Sequence, residues 1–185
     1  MKTIKRCVFA FLVFFLFSCS EKSEKNILKS LIEKNIGVEL SIPKKLKMYR
    51  PFSNYNVDSL SASNLKIYSL VDASCATCVD NIIKWNNIID YNEYHVSVVL
   101  ICTSTDNFEL IKHLCETQQI KTFPFPFFFD YKNDFLKQNP FMKEHKHMET
   151  ILTDRNNKII LFGNPIYSKK IKELYIKEVK KRMKK

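Results

Sequence analysis

The chain has 185 residues, with 30 Lys and Arg against 19 Asp and Glu and a formal net charge of +11. Fifteen Phe, eight Tyr and only two Gly exclude a disordered chain, because that apolar content supports a core. The charge does not carry a nucleic-acid reading, since no run of Arg with interleaved exposed aromatics accompanies it.

Lys2, Lys5 and Arg6 precede the apolar run Val8 to Phe17, which falls well short of the ~20 residues a spanning helix requires. Leu16-Phe17-Ser18-Cys19 then resembles the lipobox of bacterial lipoprotein signals. That resemblance implies that residues 1–18 are a signal peptide and that Cys19 is lipidated, anchoring the protein to a membrane through several acyl chains. Residues 19–63 are expected to form a tether, a short helix and an edge segment. Ser20 to Lys29 is polar, as a tether would be. Ile27, Leu28, Leu31 and Ile32 give a short amphipathic helix ended near Gly37. Val38, Leu40 and Ile42 alternate up to Pro43, an edge-strand pattern, and Lys44 to Ser63 reads as a loop.

The folded domain is expected over 64–185. It opens with Leu65-Lys66-Ile67-Tyr68-Ser69-Leu70-Val71, a strand rich in β-branched and aromatic residues. Val79, Ile82, Ile83, Asn86 and Ile89 then follow a helical period, with Trp85 off the main stripe as a packing residue. Between them lies Ser74-Cys75-Ala76-Thr77-Cys78. A Cys-x-x-Cys where a strand turns into a helix is the arrangement of a redox-active dithiol. Cys75 falls at the helix start, where unpaired N–H groups favour its thiolate. Cys78 lies one turn in, about 5–6 Å away and within reach of a disulfide. In the redox reading Cys75 attacks and Cys78 resolves. The spacing also suits a purely structural disulfide in an oxidising compartment.

Tyr94 to Cys102 reads as a second buried strand and Asp106 to Thr117 as a helix, with Asp106 as N-cap and Glu109 completing a capping box. Cys102 and Cys115 are expected to be buried, inert thiols. In Phe123-Pro124-Phe125-Pro126-Phe127-Phe128-Phe129-Asp130 a strand can begin only after Pro126. Lys132 to Asn139 suggests a short helix closed by Pro140. Glu149–Thr153 and Lys158–Phe162 bracket Asp154-Arg155-Asn156-Asn157 as a β-hairpin, which Gly163-Asn164-Pro165 ends. Ser168 caps a last helix with Ile171, Leu174, Tyr175 and Val179 on its apolar face. Its lysine-rich end is read as solvated.

This order is an α/β plan. With Val71 to Cys78, Phe125 to Asp130 and Glu149 to Pro165, the chain resembles the TlpA-like, peroxiredoxin-related branch of the thioredoxin superfamily, as found in lipid-anchored proteins of Gram-negative bacteria. The resemblance implies a thioredoxin-like fold: a central mixed sheet flanked by helices, with a strand and helix inserted before the C-terminal hairpin. It also implies a thiol–disulfide oxidoreductase facing the periplasm that uses Cys75 and Cys78 and no cofactor. Its partners would be envelope protein thiols and disulfides, with a membrane protein to recycle it. The family carries an aromatic residue before the first cysteine and a proline before the second, where this chain has Ser74 and Thr77. It also carries a cis-proline before the first hairpin strand, facing the disulfide. Counting from Asp154 places Met148 there, with Pro124 as the competing candidate by its spacing to Asp130.

Two other functional readings stand beside this one. Cys75, Cys78 and His147 could hold a soft ion such as Cu(I) for delivery, with His145 nearby. A non-enzymatic binding lipoprotein on the same fold is the other. The pair Ala76-Thr77 does not set the direction of electron flow.

Overall fold

Two apolar stretches build the centre of the sheet. Leu65–Asp72 (β2) and Val96–Thr103 (β3) run parallel, paired residue for residue from Leu65 opposite Val96 to Asp72 opposite Thr103. The second is buried at every position but its last, which is why it reads as an apolar run interrupted only by Ser97 rather than as an alternating one. The structure is a computed structural model that describes residues 24–52, 60, 63–91 and 93–183. The signal-like segment 1–18, Cys19 and the start of the expected tether lie outside the described residues.

The chain divides into two compact units, Met1–Asn35 and Ile36–Lys185. In the first, residues 24–35 form a helix (α1), longer than the four apolar positions alone suggest. Its last turn is tied by Asn35, whose amide donates to the Leu31 carbonyl at 2.8 Å.

The second unit holds a six-stranded mixed sheet. Besides β2 and β3 it contains Lys47–Tyr49 (β1), Phe127–Phe129 (β4), Thr150–Asp154 (β5) and Ile159–Phe162 (β6), in the order β1-β4-β3-β2-β5-β6. β4 joins β3 in parallel, β1 closes that edge antiparallel to β4, and β5 and β6 extend the other edge antiparallel. The helices are Ala76–Asp80 (α2), Glu109–Glu116 (α3), Asp134–Gln138 (α4) and Lys169–Met183 (α5). The steps β2–α2–β3 and β3–α3–β4 move outward in one direction. Right-handed crossovers then put α2 and α3 on the same face. Val79, Ile82, Trp85, Ile111, Cys115, Tyr175 and Val179 accordingly share one buried cluster with Leu65, Ile67, Val71, Val98 and Leu100. On the opposite face Phe135 of α4 stacks on Tyr68 at 6.4 Å between ring centroids. Each fully buried residue of this size contributes roughly 1.5–3 kcal/mol through removal from water.

Three elements of the second unit differ from expectation in kind, each for a physical reason. β1 lies inside the stretch read as a loop, because the edge of β4 supplies its pairing and no local signal announces it. Val38–Ile42 makes only one bridge, Glu39 to Lys158, rather than a strand. After five α-helical residues the chain tightens into a 3-10 helix over Asn81–Asn87. Ile82, Trp85 and Ile88 recur every three residues, the 3-10 period, so Trp85 joins the buried stripe and Ile83 is left outside.

Other expectations are met. β4 begins directly after Pro126, β5 and β6 form the hairpin, and Asn157 takes the left-handed turn conformation at φ +59°. Asp154 organises that turn, accepting from the Asn156 and Lys158 N–H groups at 2.8 and 2.9 Å. The inserted strand and helix are β4 and α4, and Asp130 caps the latter by accepting from Asp134 and Phe135.

Candidate active site

β2 delivers the cysteines to the end of the sheet. Asp72, its last residue, accepts from the Ser74 N–H at 2.9 Å and turns the chain. Cys75 is the N-cap of α2 in an extended conformation, with φ −102° and ψ 109°. Its sulfur accepts from the Cys78 N–H at 3.3 Å, a donor it shares with the Cys75 carbonyl at 3.0 Å. Cys75 and Cys78 are joined as a disulfide with Cα atoms 5.2 Å apart, and both residues are half-buried. The Thr77 hydroxyl lies 3.3 Å from the Cys75 sulfur. In the reduced protein it can donate to the thiolate, a role that no spacing rule singled out.

The helix is braced further along. The Asn81 amide donates to the Thr77 carbonyl at 2.7 Å and to the Tyr167 hydroxyl at 2.9 Å. This ties the dithiol helix to the segment between β6 and α5.

On the other flank, Ser74 binds the loop that follows β3. Its hydroxyl accepts from the Thr105 N–H at 2.8 Å and sits 3.1 Å from Asp106 Oδ1. Asp106 in turn accepts from the N–H groups of Phe108 and Leu110 at 3.1 and 3.0 Å. The expected N-cap is thus a capping carboxylate, but the residue at the cap position is Phe108, in the left-handed conformation at φ +66°. The Ser104 hydroxyl is the main influence holding the Asp106 carboxyl below the usual range, with Leu110, Ser74 and Phe108 adding to it and partial burial opposing.

Cys102 and Cys115 are free, buried thiols outside this site. Burial pushes the Cys115 thiol up to about 12 and raises that of Cys102 as well, so neither forms a thiolate near neutral pH.

Strand register separates the two candidates for the position facing the disulfide, Met148 and Pro124. Ser69 of β2 pairs with Thr150 of β5, and the Leu70 N–H donates to the Glu149 carbonyl at 3.0 Å. Met148, one residue earlier, therefore precedes the strand next to β2 at the end where β2 leads into the dithiol. Pro124 precedes β4, which is separated from β2 by β3. No peptide bond among the described residues is cis. Met148 is fully buried and its N–H donates to the His145 carbonyl at 2.8 Å. His145 and His147 stack on each other at 4.9 Å in the turn before it. Among the described residues no group of three or more His, Cys, Asp or Glu is placed to hold a metal, so His147 is not assembled with the two cysteines. Met148→Ala is expected to cost about 2–5 kcal/mol, read from the urea midpoint, because it empties a filled core position. A loss below ~1 kcal/mol would show that the site collapses freely.

No protein-family model and no curated protein sequence matches the chain. Solved structures do. A thioredoxin-like protein determined in its oxidised form is similar at 16% identity and a TM-score of 0.50, over 78% of this chain and 95% of that one. The chain has a thioredoxin-like fold. Two further structures are similar at lower scores. The thioredoxin domain of a thiol–disulfide oxidoreductase from Bacteroides vulgatus has 14% identity and a TM-score of 0.46, over 75% of this chain and 96% of that one. A thioredoxin-like protein from Porphyromonas gingivalis has 18% identity and a TM-score of 0.43, over 64% and 74% of the two chains. In thioredoxin-like terms, the dithiol sits on the helix after the central strand, and the first hairpin strand lies beside that strand.

Proposed function

We propose that the protein is a thiol–disulfide oxidoreductase anchored to a membrane through Cys19 and facing the periplasm. One observation carries the redox reading: a half-buried Cys75–Cys78 pair where a central strand meets a helix, with the Cys78 N–H directed at the Cys75 sulfur. The anchoring and the location rest on the signal-like segment and on Leu16-Phe17-Ser18-Cys19.

In the reduced protein the Cys75 thiolate attacks one sulfur of a client disulfide. A mixed disulfide forms, and the other client sulfur leaves as a thiolate and takes a proton from water. Cys78, as its thiolate, then attacks the Cys75 sulfur and expels the second client sulfur. Two electrons have passed to the client, and the site holds the Cys75–Cys78 disulfide. Every step is reversible, so the same residues can oxidise a client dithiol. A recycling partner with its own dithiol or disulfide restores the starting state. The dithiol itself stores the electron pair, so the reaction requires no further cofactor.

Cys78→Ser tests this reading directly. It removes the resolving sulfur and is expected to accumulate mixed disulfides on Cys75 in the native envelope, released by dithiothreitol. An envelope in which the variant traps nothing and the wild-type pair stays oxidised throughout would show a structural disulfide instead.

A further inference from the structure

We infer that Asp106, held against the dithiol loop by Ser74, is a positioning residue that restrains Cys75 by disfavouring its thiolate. The inference rests on the redox reading above and adds a control of reactivity that the Cys-x-x-Cys spacing does not contain.

Ser74 precedes the attacking cysteine directly, and its side chain spends its hydrogen bonds on a loop thirty residues away in sequence. It accepts from Thr105 at 2.8 Å and from Asp106 N–H at 3.3 Å, while its hydroxyl reaches Asp106 Oδ1 at 3.1 Å and Ser104 Oγ at 3.2 Å. The carboxylate is fixed from its other side by the Phe108 and Leu110 N–H groups. It therefore cannot swing away without breaking the start of α3. Among the described residues neither Asp106 nor Asp72, which accepts from the Ser74 N–H, is in an ion pair. Two uncompensated carboxylates thus contact the residue next to Cys75.

A negative charge close to a sulfur raises the energy of the thiolate and leaves the thiol almost untouched. The Cys78 N–H and the Thr77 hydroxyl act in the opposite sense. The other charged groups on the two elements that meet here are Asp80 at the end of α2 and the Glu109–Lys112 pair at the start of α3, where the Glu109 N–H donates to the Asp106 carbonyl, and the substitutions that follow leave them in place. The lowered pKa of Asp106 keeps it charged across the range in which a thiol titrates.

The experiment uses the full chain, with Cys75 alkylation by iodoacetamide followed against pH and the dithiol equilibrated with dithiothreitol. Reduction by that reagent places two electrons and two protons on the pair and leaves oxidised dithiothreitol. Asp106→Asn keeps an oxygen for the helix cap and removes the charge. It is expected to move the Cys75 titration down, giving about threefold more thiolate at any pH below the midpoint. Above the midpoint it is expected to shift the equilibrium about threefold toward the reduced form, and below the midpoint not to shift it. A purely structural role would not produce that pH-dependent split. Ser74→Ala frees the carboxylate from the loop and is expected to move both readouts in the same direction by less, whereas Ser74→Thr keeps the hydroxyl and restores them. Because Ser74→Ala leaves the α3 cap intact, it decides the matter if Asp106→Asn fails to fold. Unchanged titration and equilibrium in the folded variants would overturn the inference. A wild-type pair that never equilibrates with dithiothreitol would overturn the redox reading itself, which is a separate outcome.

Discussion

Cys75→Ser is expected to abolish disulfide exchange, with a loss on the order of 10³-fold or more in turnover of a disulfide substrate. Exchange needs a thiolate that can attack along the S–S axis, and a serine hydroxyl at this position is neither ionised nor sulfur. Cys78 cannot take over the attack from where it stands. It lies one turn into α2, and its own N–H is shared between the Cys75 carbonyl at 3.0 Å and the Cys75 sulfur at 3.3 Å, so it is the sulfur at the helix start that receives a backbone donor. The Cys75→Ser variant should therefore yield no mixed disulfide at all, whereas Cys78→Ser should complete the first attack and stop. Quenching with acid and separating thiol-labelled species by mass would distinguish them. Traps forming on Cys78 in Cys75→Ser would reverse the two roles.

The contrast between these cysteines and their surroundings shows what local sequence encodes. Cys75-Ala76-Thr77-Cys78 is legible because its chemistry depends on a three-residue separation and a strand-to-helix change, both written within a dozen residues. The central strands are legible for the same reason, since burial on both faces requires an apolar residue at nearly every position. The hairpin around Asp154 is set by its own turn. What escapes is whatever depends on a partner far along the chain. Lys47–Tyr49 becomes a strand only because Phe127–Phe129 offers it an edge. Ser74 looks like a departure from a family pattern until its hydroxyl is seen against Thr105 and Asp106. Asp106 signals a helix cap in sequence, and it does cap, but nothing local shows that the same carboxylate touches the dithiol loop. The 3-10 stretch is an intermediate case. Its period of three in Ile82, Trp85 and Ile88 was present in the sequence, but an α-helical template of 3.6 hid it.

The loop that holds Asp106 also stores the largest stability effect near the site. Phe108 is almost completely buried, stacks on Phe129 at 4.1 Å between ring centroids and meets Tyr131 edge-on at 4.7 Å. It does so at φ +66°, where a bulky side chain costs of order 1–3 kcal/mol. Two things offset that cost. The aromatic packing is one, and the other is the Phe108 N–H, which donates to Ser104 Oγ at 2.8 Å and Asp106 Oδ1 at 3.1 Å. Phe108→Ala keeps the unfavourable backbone and loses the packing, so it is expected to destabilise by about 3–5 kcal/mol. For a domain of this size each kcal/mol shifts Tm by roughly 2–4 °C, which gives a fall of about 6–20 °C by calorimetry. Phe108→Gly loses the same packing but relaxes the backbone, and is expected to fall no further than Ala despite the extra freedom of its unfolded chain. The order of the two variants separates packing from strain: Gly clearly below Ala would mean that the left-handed turn is not strained. In either variant the anchor for Ser104 and Asp106 loosens, and the Cys75 titration should move in the direction that Asp106→Asn moves it. A Phe108→Ala loss below ~1 kcal/mol, with the Cys75 titration unmoved, would disconnect this aromatic stack from the dithiol.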